Sequence, residues 1–175
     1  MKPIVLWTSL IIAAICTSAT TTLRAESPQA FLDADSITWK SNAFAVARWK
    51  TLVGGIEGGQ LAAEDVQFGL WELAPGAIYH GHHHPAPEIY YILEGQARWQ
   101  VGDQTRVVTS GTTIHTRPGE VHRMENLTDT PVRAIWFWWA PGGDTEVFKA
   151  PYVFTEPAPT QPPEAVFEDP AERLH

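Results

Sequence analysis

The sequence predicts an all-β fold, a sandwich or barrel of short strands, and three observations support this prediction. Short segments rich in β-branched and aromatic residues recur between residues 37 and 147. Turn residues such as Gly54-Gly55, Pro75-Gly76 and Gly102-Asp103 separate them, as is typical of strands joined by tight turns. No stretch keeps a helical period, so a parallel α/β fold is not expected.

Eight segments are predicted as strands from this pattern. In chain order they are Ile37–Lys40, Ala43–Leu52, Val66–Leu73, Glu88–Leu93, Ala97–Val101, Thr105–Val108, Thr112–Thr116 and Pro131–Trp139. With 175 residues and no internal repeat, the chain is long enough for one domain with a hydrophobic core. We expect this β domain to span residues 26–149, followed by a proline- and acid-rich tail over residues 150–175.

The first 25 residues have the features of a secretory signal peptide. Lys2 precedes an apolar run from Ile4 to Cys16, and a Ser/Thr/Ala-rich stretch ends at Ala25. A run this short does not comfortably span a bilayer, so a cleaved leader is preferred to a permanent anchor. Cleavage after Ala19 and cleavage after Ala25 are both compatible with the sequence. We therefore expect a periplasmic or secreted protein without stable membrane insertion after removal of the leader.

Charge and cysteine content narrow the classes of function. The formal net charge is −8 with neutral histidines, and it becomes −10 when Lys2 and Arg24 leave with the leader. So acidic a chain is poorly suited to nucleic acid or to anionic membranes. Cys16 is the only cysteine and lies in the leader, so disulfide and thiolate chemistry are not expected in the mature protein.

A histidine cluster followed by a glutamate indicates a metal site. On an extended chain alternate side chains share a face, which would put His83 on one side and a larger set on the other. That set is His80, His82, His84, Glu88 and Tyr90. Imidazole with carboxylate suits Zn, Fe, Mn, Ni or Cu and leaves positions open to water or substrate. The alternative is an exposed histidine run that binds metal only adventitiously.

Two spacings in one register resemble the motifs of the cupin superfamily. The first motif, Gly-x5-His-x-His-x3,4-Glu-x6-Gly, is matched by Gly76, His82, His84, Glu88 and Gly95. The second motif, Gly-x5-Pro-x-Gly-x2-His-x3-Asn, is matched by Gly111, Gly119, His122 and Asn126, with Arg117 in place of the proline and Pro118 one position later. That departure concerns a turn rather than a metal ligand. The resemblance extends from about Val66 to Trp139.

The resemblance implies a double-stranded β-helix, or jelly-roll barrel, of the RmlC-like single-domain type. It also implies one divalent transition metal (Zn, Fe, Mn, Ni or Cu) bound by His82, His84, Glu88 and His122. His80 and His83 would then lie near the mouth of the site, and His115 is expected to be structural. A cupin that has lost its activity, with a structural metal or none, is the alternative.

The pattern His-x-His-x3-Glu-x-Tyr with a Trp-rich closing strand resembles the cupin-type dimethylsulfoniopropionate (DMSP) lyases. In that family the metal holds the substrate carboxylate, and a tyrosine removes the adjacent proton, so that dimethyl sulfide leaves and acrylate remains. Carried over, Tyr90 is the catalytic base; its alternative role is that of a core-filling aromatic. Tryptophans beside a metal can also cage an onium group. The predicted substrate contacts are His80, Trp99, Trp136 and Trp138.

Two other classes of function stay open from the sequence. One is a metal-dependent dioxygenase or isomerase with the same four ligands, and the other is a non-catalytic cupin that binds a small ligand. In each class the partner is a small molecule, and a homodimer is a further expectation because small cupins often pair. Oxygen uptake, anaerobic release of dimethyl sulfide, or reversible binding without product would distinguish the three classes.

Overall fold

The fold was analysed in a computed structural model, which describes residues 29–41, 46–55 and 58–156. The described residues form strands β1 (Lys40–Ser41), β2 (Ala47–Val53), β3 (Val66–Leu73), β4 (Ile78–His83), β5 (Glu88–Glu94), β6 (Gln96–Val101), β7 (Gln104–Thr109), β8 (Thr113–Thr116), β9 (His122–Asn126), β10 (Val132–Trp139) and β11 (Val153–Phe154). Among these residues no helix is long and apolar enough to cross a bilayer. The predicted leader and residues 157–175 of the predicted tail lie outside the described residues.

The strands form two antiparallel sheets whose inner faces enclose the core. The six-stranded sheet has the order β1-β2-β3-β10-β5-β8, and the five-stranded sheet has the order β11-β4-β9-β6-β7. Strict alternation is clearest in β10, where Val132, Ala134, Trp136 and Trp138 are buried and the residues between them are partly exposed. Such alternation is expected of a sheet with one face on the core. The predicted all-β, double-stranded β-helix fold is confirmed.

Apart from Ile37–Lys40, the strands predicted from apolar patterning agree with the described residues, but strands β4 and β9 were missed. Residues 43–45 of the predicted strand Ala43–Leu52 lie outside the described residues. Val66–Leu73 is reproduced without change. The prediction for Ile37–Lys40 is wrong, because Ala34–Ser36 form a short 3-10 helix and pairing starts at Lys40. Strands β4 and β9 were not predicted because polar residues occupy buried positions in them, His82 in β4 and His122 and Asn126 in β9, and so the apolar alternation that marks a strand is interrupted.

The start of the predicted tail belongs to the folded domain. Two short 3-10 helices, Pro141–Gly143 and Thr145–Phe148, lead from β10 to β11. Phe148 is buried and stacks on Trp138 with 6.4 Å between ring centroids. Strand β11 then pairs with β4. The structure thus differs from the predicted division at residue 149, since residues 150–156 continue into the five-stranded sheet.

Asn126 ties the end of β9 to the end of β3. The side chain is buried, and its amide nitrogen donates to the carbonyl oxygens of Leu73, Ala74 and Thr130 at 3.1, 2.9 and 2.8 Å. Its amide oxygen accepts from the backbone N–H of Thr128 at 2.9 Å. A buried amide satisfied on both sides is rigid, so this asparagine helps to hold β9, and with it His122, in place.

Candidate metal centre

Three histidines from the five-stranded sheet meet in the core. His82 lies in β4, His84 directly follows β4, and His122 begins β9. Residues 82 and 122 are paired across the two strands. All three side chains are buried, and one ring nitrogen from each lies within 4.8 Å of the other two. This separation suits nitrogen ligands around one ion, since Zn–N bonds are about 2.0–2.1 Å long.

Backbone carbonyls orient all three imidazoles in the same way. Nδ1 of His82 lies 2.8 Å from the carbonyl oxygen of His80, and Nδ1 of His84 lies 2.8 Å from that of Ala86. Nδ1 of His122 lies 3.0 Å from that of Glu120. A carbonyl can only accept, so each neutral ring carries its proton on Nδ1 and keeps the Nε2 lone pair for a ligand. The buried Nε2 of His122 faces the carboxylate of Glu88 without a well-oriented hydrogen bond, which fits two ligands of one ion.

Glu88 joins the cluster from the opposite sheet. Its Oε2 lies 3.3 Å from Nε2 of His84 and 3.1 Å from Nε2 of His122. Burial alone would raise the pKa of Glu88, but its contacts with His122 and His84 lower that pKa far below the ordinary value. Glu88 is therefore an ionised carboxylate that offsets part of a cation's charge. The residues present thus fit one divalent metal, with nitrogen and oxygen ligands that do not select among Zn, Fe, Mn, Ni and Cu.

The environment keeps His82 neutral. Burial, followed by the nearby His122, lowers the pKa of His82 to about 3. Removing the side chain from water disfavours its charged form, and a second imidazole disfavours it further. A neutral imidazole is the form that binds metal, so His82 is available to an ion across the physiological pH range.

The predicted parity of the histidine run fails at His80. The pairing of β4 with β9 is irregular between Tyr79 and His82, so these two residues both face the interior, with ring centroids 4.8 Å apart. The intervening His80 is turned outward, and its Nδ1 lies 3.0 Å from Oε2 of Glu156. His83 is partly exposed, as expected for the opposite face. His80 does not line the cavity described next, contrary to its predicted substrate contact.

An aromatic cavity of about 80 Å³ adjoins the histidines. A single water needs only about 10–15 Å³ by the same measure, so the space suits a small molecule. Its lining residues are Trp49, Trp71, Tyr79, His82, Glu88, Tyr90, Trp136, Trp138 and Tyr152. Glu88 is the one charged side chain of this lining, and among the described residues around the cavity there is no lysine or arginine.

The predicted base lies in this wall. Tyr90 is buried between Trp71 and Trp99, with ring centroids at 5.3 and 4.9 Å. Burial, followed by the charge of Glu88, raises the pKa of Tyr90 well above its ordinary value. The protein groups alone therefore keep the hydroxyl protonated, and a cation beside it would lower this pKa.

The predicted tryptophan contacts divide into two groups. Trp136 and Trp138 line the cavity, and the ring of Trp138 lies 4.8 Å from that of His84. Trp99 is buried behind Tyr90 and is not part of the cavity wall. His115, expected to be structural, lies outside this cavity and stacks on Trp139 with 5.7 Å between ring centroids.

Sequence reasoning missed four aromatic residues of the wall, namely Trp49 with its cross-strand partner Trp71, Tyr79 and Tyr152. Trp49 lies in a predicted strand, and its inward orientation depends on the pairing of β2 with β3. Tyr79 faces inward only because of the irregularity in β4. Tyr152 comes from the segment interpreted as a tail, where no local pattern indicates a return to the site. To identify these residues from the sequence, the pairing register of the strands would have to be known. Spacing along the chain does not supply this register.

Comparisons with known proteins agree with this architecture. The family described as "Cupin domain" matches residues 69–138. An uncharacterised protein of Methanocaldococcus jannaschii is 32% identical over 69 residues, which cover 38% of this chain and 55% of that protein. The chain thus matches about half the length of this curated relative.

Two solved structures are similar in fold. The DMSP lyase DddQ from Ruegeria pomeroyi has a TM-score of 0.55 and 26% identity, with 73% of this chain and 61% of that chain covered. An RmlC-like cupin from Shewanella frigidimarina has a TM-score of 0.53 and 14% identity, with 63% and 90% covered. These matches show a cupin domain over residues 69–138, and both cupin motifs lie on the walls of one buried site.

Proposed function

We propose that this protein is a metal-dependent lyase that cleaves a carbon–sulfur bond in DMSP or a closely related small organic acid. The observation that carries the proposal is the junction of two surfaces in one small cavity. Three buried imidazoles with Glu88 form one end, and aromatic rings form the remainder. The similarity to DddQ of Ruegeria pomeroyi supports this choice among cupin activities.

The histidine end of the cavity suits the carboxylate of a zwitterion such as DMSP, and the aromatic end suits its sulfonium. A sulfonium is stabilised by the faces of tryptophan rings, by about 0.5–2 kcal/mol for each favourable contact. Trp71, Trp136 and Trp138 offer such faces, and no cationic side chain among the described lining residues would repel the ligand. A divalent metal bound by the histidines would supply a positive charge that orients the substrate carboxylate and lowers the pKa of nearby acids.

Tyr90 is the proposed base. The positive charge of a bound metal would favour loss of the hydroxyl proton to solvent, and the resulting phenolate oxygen would accept the proton on the carbon next to the carboxylate. The electron pair of that C–H bond would form the C=C bond. The Cβ–S bond would break, the sulfur would keep its electrons, and dimethyl sulfide and acrylate would be released. Tyr90 and Glu88 line the same cavity, which supports this role because a general base must come within hydrogen-bond reach of the proton that it removes.

The test combines elemental analysis with a product assay. The protein as purified should contain about one equivalent of a divalent transition metal. Incubation with DMSP without oxygen should release dimethyl sulfide, measured by gas chromatography, and a chelated sample is the control. Metal-bound protein that releases none would contradict the lyase. Oxygen uptake with candidate substrates would then favour a dioxygenase, and tight binding without product would favour a binding protein.

Export and pairing are parts of the same proposal. The N-terminal segment supports a cleaved leader and a periplasmic or secreted protein. N-terminal sequencing of the protein from the periplasm or medium should begin after Ala19 or Ala25, and a retained Met1 would contradict export. Sedimentation equilibrium at several concentrations tests the expected homodimer.

A further inference from the structure

The C-terminal strap, defined as residues Tyr152–Glu156, is fastened along the outer side of β4. Val153 and Phe154 pair with His83 and His82 as strand β11. The backbone N–H of Thr155 donates to the Gly81 carbonyl oxygen at 2.8 Å, and the Thr155 hydroxyl donates to the same oxygen at 3.0 Å. The strap thus continues the sheet that carries two of the histidines.

Polar contacts of Glu156 attach the end of the strap. The carboxylate of Glu156 lies 3.0 Å from Nδ1 of His80 and 3.7 Å from Nε of Arg123. These partners belong to β4 and β9 respectively. The strap is therefore held across two strands rather than at one point.

Gly81 provides the room for the strap. A Cβ at this position would lie 2.7 Å from the hydroxyl oxygen of Thr155 and 3.3 Å from Oε1 of Glu156. The backbone of Gly81 is not left-handed, so its conformation does not require glycine. The close approach of the strap excludes a side chain at this position. Strand β4 therefore carries a glycine where the strap packs against it.

This attachment brings Tyr152 to the mouth of the cavity. Its ring centroid lies 5.1 Å from that of His84, 5.2 Å from that of His82 and 5.8 Å from that of Trp138. The residue lines the cavity and yet is 40% exposed. One part of the ring therefore faces the ligand space, while another part faces solvent.

We propose that Tyr152 is a specificity-determining residue, whose ring limits the size of the organic anion that can reach the histidines. The ligand class, a small carboxylate, rests on the proposed function; the closing of the mouth by the ring rests on the contacts above. Truncation of the ring should widen the mouth while β11, Thr155 and Glu156 keep the strap in place. Larger carboxylates should then enter.

The experiment measures anion binding rather than turnover. The full chain is loaded with Co²⁺, and the visible absorption of the cobalt is followed during titration with acetate or with the bulkier benzoate. The wild type should favour acetate. Tyr152→Ala should improve benzoate binding by at least about tenfold and leave acetate binding nearly unchanged, because steric exclusion from a pocket is commonly worth 10–200-fold.

Two variants separate the ring from other effects. Tyr152→Phe keeps the ring and should keep the exclusion of benzoate. Tyr91→Ala removes a tyrosine of similar exposure, 43%, from β5 on the face away from the cavity, and should behave as wild type. If Tyr152→Ala fails to fold, Tyr152→Leu gives the same test with a smaller apolar side chain.

The ratio of the two affinities decides the outcome. If Tyr152 had only a structural role, Tyr152→Ala would weaken the binding of acetate and benzoate alike, and the ratio of the two affinities would not change. That result would overturn the assignment. So would the absence of any anion response in every variant. A shifted ratio in a protein that releases no dimethyl sulfide from DMSP would support the role of Tyr152 and remove the proposed lyase activity.

Discussion

The two sheets contribute different parts of the site by different means. The five-stranded sheet supplies His82 and His122, with His84 directly after β4, and each Nδ1 is held by a carbonyl two residues away. The six-stranded sheet supplies Glu88 and most of the aromatic wall through pairing between distant strands. In β10, for example, Trp136 lies opposite Tyr90 on one side and Gly69 on the other.

Local contacts therefore orient the imidazoles, whereas contacts between distant strands form the cavity. Imidazoles held by neighbouring carbonyls are oriented as soon as β4 and β9 form. The cavity exists only when β2, β3, β10 and β5 are all in register, since a slip of one residue would turn every inward ring outward. We therefore expect metal binding and cavity shape to respond to different substitutions.

The largest expected effect is on metal binding in His122→Ala. Even partners behind a ligand change affinity by about 10–100-fold, so loss of a ligand should reduce affinity by more than about 100-fold. The six-stranded sheet is untouched, and circular dichroism should show a folded protein. Elemental analysis after dialysis measures the loss. The control is His83→Ala, because His83 is adjacent to His82 and His84 in sequence but lies outside the cluster. Full metal content in His122→Ala would contradict the assignment of His122 as a ligand.

Tyr90→Phe should separate chemistry from metal binding. A positioned acid or base contributes about 10²–10⁴-fold to a rate, so release of dimethyl sulfide should fall by that factor with metal content unchanged. Tyr91→Phe, on the next residue and the opposite face, should retain full activity. Near-normal turnover in Tyr90→Phe would leave the residue as a packed aromatic of the six-stranded sheet.

Gly69→Ala tests whether the close packing of β2, β3 and β10 stabilises the six-stranded sheet. A Cβ at residue 69 would overlap the carbonyl oxygen of Lys50 and approach Nε1 of Trp136 to 3.0 Å. Overpacking of this kind typically costs about 1–3 kcal/mol, visible as a lower urea midpoint. Gly55→Ala, whose Cβ would meet nothing within 4 Å, is the control. An unchanged midpoint in Gly69→Ala would mean that β2 and β3 adjust more freely than their pairing suggests.

Acid should destabilise the metal-free protein through His82. The pKa of this residue is about 3 in the folded state and 6.5 when unfolded, so between these values the unfolded chain binds the extra proton. Stability is therefore lost as the pH falls, by about 2 kcal/mol between pH 6.5 and pH 5. Urea unfolding at several pH values measures this loss. His82→Gln should lack that contribution, and an equal slope in the variant would contradict it.

The sequence predicted that four candidate ligands meet because the relevant information is local. His82, His84, Glu88 and His122 follow from two motif spacings, and the structure brings the three histidines within 4.8 Å of one another, with Glu88 in contact with two of them. Parity along β4 could not be predicted because its irregular pairing moves Tyr79 inward and His80 outward. A strict alternation holds only where the ladder of hydrogen bonds is unbroken.

By itself the sequence determined the all-β fold class and which side chains are available to hold a cation. Only the tertiary structure decided what surrounds those side chains. Trp49 and Trp136 reach one cavity through strand register, and Tyr152 reaches it because a segment 70 residues after His82 returns as an edge strand. The physical reason is that imidazole orientation depends on bonds within two residues, whereas a cavity wall is assembled from contacts that no local spacing encodes.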